Sequence, residues 1–268
     1  MPLKKLILTG CSRMILERFN FNGRNLDEGP VWGMTDFSMG TMRFRWNETN
    51  KNRISFLKDL CGNNGTPASL ELIHSKIVYD IEDAVEVHLK QGDGIITRNK
   101  AIVPVVTVAD CMPLYIYDTK SGTFGALHSG WKGTGIVDEA IKIIEEKYCS
   151  KPENICVAIG PHIGSCCYNI TGDRANYFME NFCEDCVEKI GSNEYSLSLT
   201  KANLAVLKKC GIPEGNIRVM DECTCCHKEN GEYKFGSFRR QTLSLPSDMP
   251  LEEKLTKFTV QAAFVKWQ

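Results

Sequence analysis

The residues best suited to chemistry are two histidines and a cysteine. Cys111 follows Asp110 in a break between two apolar runs, and His128 stands where a third apolar run gives way to Gly130. His74 lies upstream in another largely apolar segment. Two neutral imidazoles and a thiolate are a ligand set that suits zinc with one coordination position left open. The sequence therefore suggests a zinc site with a carboxylate beside it.

The segments that must position these residues have the composition of strands. Runs of β-branched and aromatic residues bounded by turn residues predict strands, and strand ends are where α/β folds usually place their sites. His74 falls within one predicted strand, Cys111 between two, and His128 at the end of another. The predicted strands are 1–10, 31–35, 41–46, 69–79, 85–89, 95–97, 102–108, 114–117, 124–127, 155–159, 217–220 and 258–265.

Helices are predicted where apolar residues recur at helical spacing between capping signals. The segment 47–61 has Asn47 or Thr49 as an N-cap and Gly62 as a stop. Further helices are predicted at 133–149, 171–182 and 199–210. The chain has no repeat and no low-complexity linker. We therefore predict an α/β protein of the α+β type, with residues 1–268 forming a single domain of mixed β-sheets flanked by helices.

Composition excludes several classes of protein. The chain has 268 residues, 43% of them hydrophobic, and a net charge of −1, which gives no bias toward nucleic acid. We find no apolar run near the ~18 residues that a membrane span needs. The 13 cysteines are an odd number, and residues 1–10 lack the long apolar run of a signal peptide. We expect a cytoplasmic protein with reduced thiols.

Six motifs in order resemble those of the laccase-domain family. They are His74, Ala-Asp-Cys at 109–111, His-Ser-Gly-Trp at 128–131, Gly-Pro-His-Ile-Gly at 160–164, Cys-Thr-x-Cys at 223–226 and Ser-Phe-Arg-Arg at 237–240. Bacterial members of that family were first labelled multicopper polyphenol oxidoreductases. They are now regarded as purine nucleoside phosphorylases with adenosine deaminase and methylthioadenosine phosphorylase side activities. This chain departs from the usual pattern at Leu72-Ile73 and Ser75 around the first histidine, and at Ser129.

The resemblance implies a function and a role for each matching residue. It implies that a purine nucleoside and phosphate are the substrates and that zinc is the cofactor. The implied zinc ligands are His74, Cys111 and His128, and the implied catalytic residues are Asp110, Cys111 and His74. Asp110 would serve as a general acid or base, or would orient an imidazole. The implied substrate-binding residues are Asn52, Arg53, Arg239 and Arg240, with the two C-terminal guanidinium groups suited to phosphate or a nucleoside hydroxyl.

Three other functions compete with this one. A copper-dependent polyphenol oxidase would use the same ligand types, but Met112 would point to the opposite face from Cys111, and 5 histidines are few for a copper cluster. A nucleobase deaminase of the His-x-Glu type lacks its signature here. A non-catalytic zinc-binding module would close the fourth coordination position.

Cysteine pairs elsewhere in the chain suggest a second zinc site. Cys183 and Cys186 could join Cys223 and Cys226 as four ligands, although the separation of the two pairs exceeds the usual ribbon spacing. Cys166 and Cys167 are interpreted as structural.

Overall fold

Two mixed β-sheets pack face to face in the computed structural model, which describes residues 14–268. The strands within this range are β1 Met14–Arg18, β2 Asn20–Phe21, β3 Arg24–Asn25, β4 Pro30–Thr35, β5 Thr66–Ser69, β6 Val78–Ile81, β7 Gly94–Thr97, β8 Ile102–Val108, β9 Met112–Asp118, β10 Phe124–Ser129, β11 Ile155–Ile159, β12 Asn169–Thr171, β13 Val187–Lys189, β14 Glu194–Leu197, β15 Ile217–Val219, β16 Lys228–Glu229, β17 Glu232–Tyr233 and β18 Gln261–Trp267. The helices are α1 Lys51–Cys61, α2 Ile136–Tyr148, α3 Gly172–Asn181, α4 Leu199–Lys209, α5 Phe238–Thr242 and α6 Leu251–Lys254.

The first sheet has the order β1-β4-β18-β8-β5, and the second has the order β15-β11-β9-β10-β7-β6. Most neighbouring strands are antiparallel, whereas β5 with β8, β6 with β7, and β11 with β15 are parallel. A smaller sheet of order β12-β14-β13 lies outside these two. The prediction of an α/β fold with mixed sheets flanked by helices is confirmed.

The continuous apolar runs form strands that are buried on both faces. In β8, Val103 and Val105 pack against α1, while Val106 and Val108 pack against the second sheet. Strands covered on both sides lose the alternation of apolar and polar residues that a half-exposed strand shows. Each fully buried valine or isoleucine contributes roughly 1.5–3 kcal/mol by its removal from water. The order of layers is thus α1, first sheet, second sheet, and then a helical layer.

That outer layer is formed by α2, α3 and α4. The apolar side of α2, including Ile141 and Ile144, packs in one cluster with Leu114 and Ile116 of β9. Both helix α2 and strand β9 were predicted, with bounds that differ by one to three residues from those observed. Among the described residues, no helix combines the length and the apolar character that crossing a bilayer requires.

The N-cap of helix α1 lies one residue after the predicted candidates, Asn47 and Thr49. Asn50 is the cap, and its side-chain oxygen accepts a hydrogen bond from the backbone N–H of Arg53. The stop at Gly62 is confirmed, where φ is +60°. The N-cap is the residue whose side chain reaches the free N–H groups of the first turn. Residues 47–50 include several side chains of the right type, so composition alone does not select one.

The strand predicted at 41–46 does not form. The side-chain amide of Asn50 donates to the carbonyls of Thr41 and Arg43, at 2.9 and 3.0 Å, and the Arg53 guanidinium donates to that of Met42 at 3.1 Å. These side chains satisfy the carbonyls that a neighbouring strand would otherwise bind. Alternation of apolar residues alone could not reveal this competition.

Two further strand predictions are wrong, and one lies outside the described residues. The segment 69–79 leaves β5 after Ser69 and enters β6 only at Val78, so His74 is in a loop. Residues 85–89 fall largely in a 3-10 turn, Ala84–Val87, capped by Asp83. The predicted strand 1–10 falls among residues that the structure does not describe.

Candidate metal centre

His74, Cys111 and His128 lie together, as the sequence predicted. Their ligand atoms all lie within 4.8 Å of one another. Cys111 Sγ is 3.9 Å from His74 Nε2, and the two imidazole rings are nearly perpendicular at 79°. A tetrahedral zinc ion requires sulfur and nitrogen ligands about 3.6 Å apart, given bond lengths of about 2.3 and 2.0 Å. The three side chains are thus close to the spacing that one ion needs.

Two of these three residues lie where the chain crosses from the first sheet to the second. Cys111 lies where the chain leaves β8 of the first sheet and enters β9 of the second, and His74 lies in the loop from β5 to β6. Asp110 and His74 both have left-handed backbone conformations, with φ of +78° and +59°. Such angles are uncommon outside glycine and cluster at functional sites. His128 comes from the regular strand β10, where it pairs with Pro113 of β9.

Asp93 orients both histidines and was missed at the level of sequence. Its Oδ1 accepts hydrogen bonds from His128 Nδ1 at 2.8 Å and from the backbone N–H of His74 at 3.0 Å. Its Oδ2 accepts from both the N–H and the hydroxyl of Ser75, each at 2.6 Å. This fully buried carboxylate leaves Nε2 of His128 facing the site, as in the carboxylate–histidine pairs of known metal centres. Its place between two glycines, Gly92 and Gly94, suggested only a turn.

The Cys111 thiol is set up to lose its proton. Burial alone would raise its pKa, but the positive charges and hydrogen bonds of His128 and His74 outweigh burial and lower the pKa to about 6. His128 responds in the opposite direction: burial would lower its pKa, but the Cys111 thiolate and the Asp93 carboxylate raise it. A thiolate is the form of cysteine that binds metals, and the donor set therefore fits a borderline-soft dication.

Gly130 leaves room at the centre of the three side chains. A Cβ atom placed there would lie 2.9 Å from His74 Cδ2, 3.1 Å from Cys111 Sγ and 3.7 Å from His128 Cε1. A side chain at this position would therefore press on His74 and Cys111 and touch His128, while His74 remains exposed on the outer side. The residues therefore fit a bound metal ion with an accessible position.

Gly130→Ala is expected to weaken zinc binding by about tenfold or more, because the methyl group displaces ligand side chains, and misplaced groups around a metal typically cost 10–100-fold. Gly191→Ala is the matched control, since a Cβ there meets only the side chain of Glu194, which lies at the surface. Competition with a chromophoric chelator measures both affinities. Equal affinities for the two variants would contradict the spatial role of Gly130.

Asp110 joins three segments around Cys111. Its carboxylate accepts hydrogen bonds from the Thr224 hydroxyl at 2.8 Å, the Ser237 hydroxyl at 3.0 Å and the backbone N–H of Arg239 at 2.6 Å. Its own carbonyl accepts from the N–H of Ile163 at 3.0 Å. With so many donors, the side chain fixes the loops that surround the site. Its predicted part in proton transfer stays a prediction.

The two C-terminal arginines differ in what their guanidinium groups contact. Arg240 donates to the backbone carbonyls of Thr224, Cys225 and Phe235, and stacks 3.9 Å from the Tyr233 ring centroid. Among the described residues, the Arg239 guanidinium donates one hydrogen bond, to the Asn169 carbonyl at 3.1 Å. Arg239 therefore keeps more donors available for a ligand, and Arg240 is committed to holding loops.

Asn52 and Arg53 lie on the first turn of α1, away from the contacts described above. Arg53 is buried, donates to the Met42 carbonyl and the Ser69 hydroxyl, and its burial lowers its pKa to about 10. Asn52 lines a separate surface cavity of about 390 Å³ together with Thr41 and Phe258. Their predicted contact with substrate stays a prediction.

A rim of aromatic and cationic side chains, formed by Trp131, Tyr168, Arg174 and Arg239, lies within electrostatic range of Cys111. Arg174 lies 4.3 Å from the Trp131 ring centroid and donates to the Tyr168 hydroxyl at 3.4 Å, and Arg239 lies over the same tyrosine ring. Burial raises the pKa of Tyr168; of the charges around it, Arg174 lowers the pKa and Cys111 raises it. The rim therefore connects Cys111 with two arginines. No motif singles out Arg174, which lies on the predicted helix α3.

The prediction that Cys183 and Cys186 join Cys223 and Cys226 in a metal site is wrong for Cys183 and Cys186. Cys223 and Cys226 group with Cys166 and Cys167, within the part of the chain that the structure describes. Cys183 and Cys186 lie in neither metal-capable group and instead contact backbone carbonyls near α3 and α4.

Residues 45–244 match the family model described as multi-copper polyphenol oxidoreductase laccase. A purine nucleoside phosphorylase of Clostridium acetobutylicum is 33% identical over 180 residues, which make up 64% of this chain and 70% of that protein. The purine nucleoside phosphorylase LACC1 of Mus musculus is 32% identical over 158 residues, 57% of this chain but only 36% of that protein.

Two solved structures share the fold. YlmD from Geobacillus stearothermophilus has a TM-score of 0.76 at 23% identity, over 90% of this chain and 92% of that one. The hypothetical protein YfiH of Bacillus licheniformis has a TM-score of 0.75 at 24% identity, over 89% and 93% of the two chains. With the family model matching most of its length, the chain belongs to the family described as multi-copper polyphenol oxidoreductase laccase.

Proposed function

We propose that the chain is a zinc-dependent purine nucleoside phosphorylase, which cleaves inosine, adenosine or guanosine with phosphate. The observation that carries the proposal is the accessible set of His74, Cys111 and His128 beside a rim of arginines. The relatives named as purine nucleoside phosphorylases support the same reaction.

Zinc is favoured over copper by the ligands. A thiolate with two imidazoles suits zinc, and a blue-copper centre adds a weak axial methionine. Met112 follows Cys111 but is fully buried and packs in the core cluster with Leu114. Within the described range, only two histidines share the group, which supports a single ion. When bound, zinc supplies a positive charge that polarises an oxygen at its open position.

The chain's own residues would position the anion and the nucleoside. Phosphorolysis needs phosphate held against the anomeric carbon of the ribose while negative charge develops on the departing purine. Arg174 and Arg239 flank Tyr168 and present planar donors that suit phosphate oxygens. Asp110 holds the backbone of Arg239 and so fixes the start of α5 beside Cys111. Trp131 offers an aromatic face, packed by Arg174, against which a base could stack.

The same proposal includes two secondary activities, the phosphorolysis of methylthioadenosine and the deamination of adenosine. A pocket that accepts adenosine presents the anomeric carbon of its ribose to phosphate, and it could also present C6 of the purine to water, which would add there as the amino group leaves as ammonia. The two outcomes differ in product, because phosphorolysis gives adenine and deamination gives inosine.

The test is to incubate zinc-loaded protein with inosine, guanosine, adenosine and methylthioadenosine, with and without phosphate, and to identify the products by chromatography. We expect free base and ribose 1-phosphate, or its methylthio derivative, only when phosphate is present. The absence of phosphate-dependent base release from all four would refute the proposal. Oxidation of a phenol by copper-loaded protein, without nucleoside cleavage, would favour the oxidase instead.

A further inference from the structure

A second group of ligands lies outside the proposed active site. The sulfur atoms of Cys166, Cys167, Cys223 and Cys226 all lie within 4.8 Å of one another, and those of Cys166 and Cys226 are 3.6 Å apart. Four thiolates around one zinc ion, each about 2.3 Å from it, place neighbouring sulfurs about 3.8 Å apart. The spacing of the four thiols is therefore close to that of a mononuclear site.

The sheet brings these thiols together. Cys166 and Cys167 follow β11, and Cys223 and Cys226 follow β15, and these two strands are parallel neighbours. The loops after them therefore leave the same edge of the second sheet. A hydrogen bond of 2.9 Å from the N–H of Thr224 to the carbonyl of His162 joins the loops directly.

Backbone N–H groups donate hydrogen bonds to one of the four sulfur atoms. Burial opposes ionisation of Cys223, but backbone N–H groups, first among them that of Gly164 at 3.2 Å, outweigh burial and lower its pKa. The Cys223 sulfur is thus held by the loop that carries Cys166.

We propose that Cys166, Cys167, Cys223 and Cys226 bind one Zn²⁺ as four thiolates, in a structural site separate from His74, Cys111 and His128. Four sulfur ligands close the coordination shell, and closed zinc sites stabilise folds rather than catalyse reactions. The exposure of Cys166 and Cys226 gives the ion a route from solvent.

The ion would fix the loops that frame the active site. The loop containing Cys166 also carries Ile163, whose N–H binds the Asp110 carbonyl, and the loop containing Cys223 carries Thr224, whose hydroxyl binds the Asp110 carboxylate. Loss of the second ion is therefore expected to loosen the surroundings of Asp110 without removing any ligand of the first. This inference does not depend on which reaction the first site performs.

Metal content is the decisive measurement, made by inductively coupled plasma mass spectrometry on protein purified under reducing conditions. We expect two zinc ions per chain in the wild type, one in Cys111→Ser, one in Cys226→Ser, and none in the double variant. Cys225→Ser is the matched control, because Cys225 lies in the same loop but outside the group of four, and it should keep both ions. Circular dichroism checks that each variant is folded.

Cobalt substitution of Cys111→Ser tests the ligand set directly. Four thiolates around Co²⁺ should give intense sulfur-to-metal charge-transfer absorption with tetrahedral visible bands, and Cys166→Ser added to this variant should weaken them. A folded Cys111→Ser protein with no metal would overturn the proposal. So would an intact mass lower by two hydrogen atoms, which indicates a disulfide, or a second ion that persists in Cys226→Ser.

Discussion

Replacing Cys111 with alanine is expected to remove the metal from the proposed active site and to lower the phosphorolytic rate constant by about 10²- to 10³-fold. The reason is that the thiolate is the only negatively charged ligand of the three, and electrostatic stabilisation at such sites commonly contributes 10²–10³ in rate. Zinc content and phosphate-dependent release of hypoxanthine from inosine are the measurements.

Cys156→Ala is the control for Cys111→Ala. Cys156 is a fully buried thiol on β11 whose pKa is raised to about 12, chiefly by burial, so it stays neutral where Cys111 ionises. We expect this control to lose some stability through the small cavity that it creates, but to keep its metal and its activity. A zinc content in Cys111→Ala equal to that of the Cys156→Ala control, or full turnover after loss of one zinc ion per chain, would contradict the assignment of Cys111.

Asp93→Asn is expected to weaken zinc binding at the first site by roughly 10–100-fold, the usual effect of losing the partner of a metal-binding histidine. The amide that replaces the carboxylate has one oxygen, which accepts hydrogen bonds, and one nitrogen, which donates them. Its oxygen can face His128 and His74 or it can face Ser75, but it cannot accept from both sides. The Ser75 N–H and hydroxyl, or the His74 N–H, would then lose their acceptor. An unsatisfied buried donor costs about 1–3 kcal/mol of stability.

Asp118→Asn separates the effect on metal binding from the effect on stability. Asp118, the last residue of β9, is also a fully buried carboxylate, and it accepts hydrogen bonds from the backbone of Lys120 and Ser121 and from the Ser150 hydroxyl at 2.8 Å. We expect this variant to be destabilised to a similar degree with unchanged zinc affinity. Thermal unfolding and chelator competition measure the two quantities. Similar losses of affinity in both variants would show that Asp93 acts only through stability.

Much of the fold could be predicted because the central strands are buried on both faces. The runs at β8, β9 and β10 are apolar without interruption, and burial on two sides produces that pattern whatever the neighbouring strands are. The amphipathic helix α2 was equally clear. The segment 41–46 shows the limit: its alternation fits a strand, yet side chains of α1 take up its backbone carbonyls. That choice depends on contacts between segments, which a local pattern does not record.

The sequence predicted which three side chains group together, but not the residues that hold them in place. Residue type alone nominates histidine and cysteine, and the resemblance to a family supplied their order. Asp93 escaped notice because a carboxylate between two glycines is ordinary in a turn, and only the fold brings it to His128. The grouping of Cys166 with Cys226 likewise follows from the parallel pairing of β11 and β15, which spacing along the chain cannot reveal.

The crossings of the chain at Cys111 and His74 have a thermodynamic consequence. Both ligands lie on connections between the first and second sheets, while His128 belongs to the second sheet alone. An ion bound by all three would therefore tie the two sheets together, and would bind the folded chain far better than the unfolded one. A ligand present at 1,000 times its dissociation constant raises the free energy of unfolding by about 4 kcal/mol. The melting temperature should then rise with zinc concentration. The supply of metal would therefore set the stability of the two packed sheets as well as the activity of the site.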